Sequence, residues 1–173
     1  MNIVSCTFER HAEAILAILN EAIVTSTALY DYVPRPVASM RPWFRAKEDG
    51  AFPVIGMEGA AGTLLGFASY GVFRPYPANK YSVEHSVYVH PAHRGKGIAR
   101  ALMQRLIEHA REQDYHLLVG GIDTRNTASI ALHERLGFRH AGTIAQAAFK
   151  FGAWCDLAFY QLILDTPTHP QEG

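Results

Sequence analysis

Apolar residues recur along this chain with two periods, and the switches between them mark out its elements. Residues 2–7 read as a short strand. Ile15, Ile18, Leu19, Ala22 and Ile23 then return at the three-and-four spacing of one helix face. The stretch TSTALYDYVPRP, from Thr25, is turn-prone and aromatic, and a second, short helix is predicted over Ser39–Lys47. AFPVIGME and GTLLGFASYGVF are bounded by glycines and rich in apolar and aromatic residues, which predicts neighbouring antiparallel strands joined near Gly59–Gly62. RPYPANKY is a proline-pinned loop. Beyond it Val83, Val87 and Val89 alternate with Glu84, Ser86 and Tyr88, so a strand here turns Glu84 away from the valine layer. Ala99, Leu102, Met103, Leu106 and Ala110 mark a long amphipathic helix, LLVGGI a buried strand, and Thr127–Leu136 a helix stopped by Gly137. Two last strands, Gly142–Phe151 and Trp154–Leu164, are parted by Gly152 and Ala153.

This order of elements predicts an α/β fold with α+β character: a mixed, mostly antiparallel twisted sheet flanked by helices. One domain is expected over residues 1–165, with 166–173 as a flexible tail. A chain of 173 residues, 49% of them apolar, is long enough to bury one sizeable core. Sixteen basic and sixteen acidic residues balance to zero, which argues against a nucleic-acid footprint and for small-molecule partners. No run approaches a membrane span, and MNIVSCTFERH lacks the basic start and apolar middle of a signal peptide, so a cytoplasmic protein is expected. Cys6 and Cys155 are then buried thiols rather than a disulfide framework.

The stretch VYVHPAHRGKGIARALMQRL carries the clearest chemistry. A strand breaks at Pro91, two glycines flank Lys96, and a helix begins. Unpaired N–H groups at that helix start and the helix dipole make such a turn an anion site. The spacing fits neither a P-loop nor the dinucleotide fingerprint, because Arg100 stands where the latter needs a third glycine or alanine. A glycine pair alone would be an ordinary turn with solvated charges; the strand, the proline break and the long helix together favour a phosphate-bearing ligand. Further on, Asn126, Ser129 and His133 fall three and four apart, on one face of the predicted helix.

Arg94-Gly95-Lys96-Gly97-Ile98-Ala99 resembles the acyl-coenzyme A motif of the GNAT N-acetyltransferases. VEHSVYVHPAHRGKGIA, NTASIALHERLGF, FKFGAWCD and STALYDYVPRP are together similar to one subfamily, the phosphinothricin and methionine sulfone or sulfoximine acetyltransferases. The resemblance implies that Val87, Tyr88, Val89, Arg94, Gly95, Lys96, Gly97, Ile98 and Ala99 hold acetyl-coenzyme A, with Asn126 and Ser129 on its pantetheine arm. It places His133 where many GNAT enzymes have a tyrosine that protonates the departing thiolate, and Arg74 at the acceptor; Tyr30, Tyr32 and Tyr76, in loops rich in aromatic residues, are candidates to line the acceptor pocket. It also implies a homodimer built partly by the last hairpin.

The transfer itself sets a requirement that needs no family. An α-amino group, with a pKa of about 7.7 to 8.0, arrives largely protonated and must lose a proton before attacking a thioester. Glu84, on the strand leading into the glycine turn, is the best-placed base, and the resemblance assigns it that role. Backbone N–H at Tyr88 or Val89 would meet the developing oxyanion. No metal is required. His85, His90 and His93 do not read as a cluster, because His85 and His90 have opposite strand parity and His93 lies past the proline. Trp154, Phe149, Phe151, Phe159 and Tyr160 read as core or subunit packing. Acetylation of protein N-termini or lysines, and a non-catalytic acyl-coenzyme A module, stand as alternatives; the pinned loop Arg74–Lys80 argues against the first, and the presence of both Glu84 and His133 against the second.

Overall fold

The computed structural model describes residues 1–172. Seven strands form one sheet in the order β1-β2-β3-β4-β5-β7-β6: β1 (Asn2–Ser5), β2 (Val54–Glu58), β3 (Leu64–Val72), β4 (Ser82–Val89), β5 (Leu117–Asp123), β6 (Arg139–Lys150) and β7 (Ala153–Ile163). Four α-helices intervene: α1 (Phe8–Thr25), α2 (Met40–Asp49), α3 (Ile98–Glu112) and α4 (Thr127–Arg135). Every element read from the periodicity is present, and the predicted antiparallel pairing of β2 with β3 is observed from Val54↔Ser69 to Glu58↔Leu64. Among the described residues no helix is long and apolar enough to cross a membrane.

The chain gathers into two compact units, Met1–Tyr70 with Ser86–Leu106, and Gly71–His85 with the residues from Ile107 on. In the first, α1 forms because its apolar positions return every three or four residues, and Ile15, Ile18, Leu19, Ala22 and Ile23 are all buried. Ile15, Ile18 and Leu19 pack with Met40 and Phe44 of α2 and with Val54, Leu64 and Phe67 of the strands. Burying each large side chain contributes roughly 1.5–3 kcal/mol. Edge-to-face contacts of Trp43 with Phe44 and with Phe67 fix how α2 lies on β3. Within this unit Gly66 lets backbone approach backbone, since a Cβ there would stand 2.8 Å from the Tyr88 carbonyl oxygen.

In the second unit β4 and β5 run parallel through Ser82↔Leu117, Val83↔Leu118 and Glu84↔Val119, and β5 and β7 pair antiparallel over seven positions from Leu117↔Ile163 to Asp123↔Leu157. The β6–β7 hairpin turns on Phe151 and Gly152, both at positive φ, as a two-residue hairpin loop requires. β6 starts at Arg139, earlier than the glycine that sequence suggested, because the chain leaves Gly137 at φ 89° and pairs at once with β7. Of the aromatic series read as core or interface, Tyr160 is buried, whereas Phe149, Phe151 and Trp154 are exposed and belong to no core of this chain. Cys6 and Cys155 are free and buried. After β7, Thr166 donates its hydroxyl to the Tyr115 carbonyl, and the Gln171 N–H donates to the Tyr81 hydroxyl at 2.9 Å.

Candidate active site

The glycine turn lies in the first unit. Pro91–His93 makes one 3₁₀ turn, the chain passes Gly95 and Gly97, and α3 opens at Ile98. Both glycines sit at φ +77°, and a Cβ on either would meet nothing within 4 Å. Their reason is therefore the left-handed backbone rather than crowding, and the space above them is open. The first N–H groups of α3 have no helical acceptor and face that turn. Arg94 donates to the Val89 carbonyl at 3.2 Å and to the Glu21 carboxylate at 2.6 Å, while Lys96 donates to the Ala92 carbonyl at 3.2 Å. Val87, Tyr88 and Val89 are half-buried, with the Tyr88 ring against Phe67.

The second unit holds the remaining residues of the prediction except Tyr30. Alternation along β4 sends Val83 and His85 inward and leaves Glu84 exposed on the other face. There Glu84 lies over Gly121 of β5: a Cβ on that glycine would be 3.6 Å from Glu84 Oε1. Partial burial pushes the Glu84 carboxyl above its ordinary pKa, the direction that makes a carboxylate a better base near neutrality.

The face opposite Glu84 holds what sequence reasoning did not see. His85 and His133 are 6% and 3% exposed, their rings stack with centroids 5.1 Å apart, and their Nε2 atoms lie 2.9 Å from one another. Gly120 makes room for them, since a Cβ there would be 2.9 Å from the His85 ring and 3.3 Å from His133 Nε2. Burial pushes the His133 pKa down, and burial with the neighbouring His133 takes that of His85 down to about 3. A signal for His85 was present: it shares the odd-numbered register of the valines. The glycine pair inside a buried strand likewise marked a close approach.

Asn126 does not share a helix face with Ser129 and His133, as spacing suggested, but caps α4: its Oδ1 accepts the Ser129 N–H at 3.1 Å. The three stay linked nonetheless, because His133 Nδ1 lies 2.7 Å from the Ser129 carbonyl and 3.5 Å from the Ser129 hydroxyl. The loop before the cap is set by residues also missed in sequence. Asp123 takes both Arg125 Nε and a terminal nitrogen, at 3.1 and 3.2 Å, and its own carbonyl accepts the Asn126 N–H at 2.8 Å. Arg74 and Tyr76 are exposed in the loop between β3 and β4, the guanidinium 5.4 Å above the tyrosine ring. Tyr30, half-buried, follows α1 in the first unit.

Residues 15–138 match the model of the acetyltransferase (GNAT) family. The chain belongs to the GNAT family. It is 46% identical over 151 residues to an L-methionine sulfoximine/L-methionine sulfone acetyltransferase of Pseudomonas paraeruginosa, a match covering 87% of this chain and 88% of that one. The structure of an Acinetobacter baylyi protein superposes with a TM-score of 0.98 at 57% identity, covering 99% of this chain and 96% of that chain. A phosphinothricin acetyltransferase from Sinorhizobium meliloti, solved in complex with acetyl-coenzyme A, superposes with a TM-score of 0.93 at 29% identity, covering 99% of this chain and 94% of that one. As a GNAT enzyme the chain is an N-acetyltransferase. Its turn fits the diphosphate of such a donor: two glycines at positive φ with open space above them, at the N-terminus of a 15-residue helix. Among the described residues no three His, Cys, Asp or Glu side chains stand together as a metal site.

Proposed function

We propose that this enzyme transfers an acetyl group from acetyl-coenzyme A to the α-amine of a small amino-acid-like acceptor of the methionine sulfone, methionine sulfoximine or phosphinothricin type. The observation that carries this reading is the joint presence of an open glycine turn at the start of α3 and an exposed carboxylate of raised pKa, Glu84, on the strand that runs into that turn. The relatives' activities supply the acceptor class.

Acetyl-coenzyme A, when bound, supplies the acetyl group as a thioester. The N–H groups at the start of α3, with Arg94, Gly95, Lys96, Gly97, Ile98 and Ala99, bind its diphosphate, and Asn126 and Ser129 bind its pantetheine arm. Val87, Tyr88 and Val89 lie along the bound thioester, and backbone N–H at Tyr88 or Val89 meets the acyl oxygen. Glu84 takes the amine proton, directly or through water. Arg74 holds the acceptor carboxylate with two parallel charge-assisted hydrogen bonds, and Tyr76 and Tyr30 line the acceptor. The departing thiolate takes its proton from His133 or from water. The exposed aromatics Phe149, Phe151 and Trp154 suit a homodimer contact of the last hairpin.

The test is thiol release from acetyl-coenzyme A with a panel of free amino acids, their amides, and peptides. Methionine sulfone, methionine sulfoximine and phosphinothricin should react, and amidating the carboxylate should raise KM strongly in the parent but little further in Arg74→Ala. Equal reaction of amide and free acid would move the activity to peptides or protein N-termini.

A further inference from the structure

The hydrogen bonds around the buried histidines determine where their protons sit. The Ser129 carbonyl only accepts, so His133 Nδ1, 2.7 Å away, must carry a hydrogen. His133 Nε2 is then a bare lone pair in the neutral ring, and the contact of 2.9 Å with His85 Nε2 is a hydrogen bond only if His85 donates it. His85 Nδ1 is thereby bare as well, and it is buried with no hydrogen-bond partner. A further proton finds no place in this arrangement. Whether it is added to His133 Nε2, which displaces the His85 hydrogen to Nδ1, or to His85 Nδ1 directly, an N–H results at a buried position with no acceptor.

Among the described residues recorded against the pair none is a carboxylate. Gly120 of β5, Phe138 beside β6, Tyr160 of β7 and Ser129 of α4 pack on the pair, with Tyr160 6.5 Å from His133 and His140 on Tyr160 at 5.4 Å. Of these only Tyr160 and His140 bear ionisable side chains, and Glu84 projects from the other face of β4. The N–H···N bond joins the strand that bears Glu84 to the helix whose first turn is capped by Asn126.

We propose that His85 is a positioning residue that locks His133 as a neutral, Nδ1-protonated imidazole, so that His133 braces α4 against β4 and keeps its proton through turnover, leaving water to protonate the thiolate. Only the kinetic part of this inference rests on the acetyl-transfer reading above.

Nitrogen-15 NMR of histidine-labelled enzyme reads the tautomers directly, without substrate. In the parent, His133 should show a protonated Nδ1 and a bare Nε2, with no titration at the ordinary histidine midpoint near 6.5. His85→Gln keeps a donor at the Nε2 position and should keep both the pattern and the pH profile of kcat. His85→Leu removes the donor: His133 Nε2 should begin to titrate, and kcat/KM for acetyl-coenzyme A should acquire an acid limb with the same midpoint, while kcat at pH 8 stays within about threefold. A protonated His133 Nε2 in the parent, its titration near pH 6.5 with kcat following it, or unchanged His133 signals in His85→Leu would each overturn the proposal. Should His85→Leu not fold, the parent and His85→Gln spectra decide alone. If no acceptor in the panel reacts, the functional reading fails while the tautomers are still read.

Discussion

Glu84 and His85 are neighbours in sequence and opposites in environment. Each looks across to a glycine of β5, Glu84 to Gly121 on the open face and His85 to Gly120 on the closed one. Partial burial raises the carboxyl pKa of the first, and full burial drives the imidazole pKa of the second down to about 3. In both cases desolvation disfavours the charged form. The consequences differ because Glu84 keeps access to solvent, where a raised pKa suits proton uptake, whereas His85 is sealed in and must stay neutral. One strand thus sets a solvent-exposed carboxylate on one face and a sealed imidazole on the other.

The largest expected effect tests the open face. Glu84→Gln preserves shape but cannot accept a proton, so kcat should fall roughly 10²- to 10⁴-fold at neutral pH, while stability stays within about 0.5 kcal/mol of the parent. In the parent, kcat/KM should rise with pH through a midpoint above the ordinary glutamate value, and that limb should vanish in the variant. An unchanged rate and profile would reduce Glu84 to a surface carboxylate.

Next comes the closed face. Gly120→Val would place carbon inside contact distance of both imidazoles, and overpacking of this kind costs about 1–3 kcal/mol, read as a lower urea midpoint. Gly121→Ala should cost less, since its nearest neighbour, Leu157 Cδ1 at 3.2 Å, ends a side chain that can yield. If the order is reversed, the division of the two faces is wrong.

The pH dependence of stability is the gentlest probe. Unfolded histidines bind protons near pH 6.5, but His85 in the fold does so only near pH 3, and His133 is shifted the same way. Below pH 6.5 the unfolded chain therefore holds more protons, and stability should fall as pH falls, by up to about 1.4 kcal/mol per pH unit for each histidine. His85→Gln should flatten that slope in urea titrations between pH 6.5 and 5. A slope that is the same in parent and variant would assign the acid sensitivity to other groups.

A fourth comparison sets the β5 glycines against those of the turn from Arg94 to Ala99. Gly95 and Gly97 answer to backbone dihedral, with nothing near their Cβ positions, so Gly97→Ala strains φ by roughly 1–3 kcal/mol and should weaken acetyl-coenzyme A binding in calorimetry while the protein still folds. Undiminished affinity in the folded variant would remove the turn from the donor site.

Local pattern determined much of this protein. Helical spacing placed α1, α2, α3 and α4, glycine boundaries placed the β2–β3 pair, and alternation in β4 turned Glu84 outward, because each is dictated by residues within a few positions of one another. The geometry of the turn from Arg94 to Ala99 was legible for the same reason: glycines at set positions before a helix give it a left-handed backbone there. Tertiary structure decided what depends on partners distant in sequence. Asn126 became a cap rather than a face residue, and Phe149, Phe151 and Trp154 came to lie exposed. The environment of His133 was set by His85, 48 residues away, and by the absence of a Cβ at Gly120. Periodicity states which side of a strand a residue takes. Which atoms meet it there, and so which nitrogen holds a proton, follows only once β4, β5 and α4 are packed together.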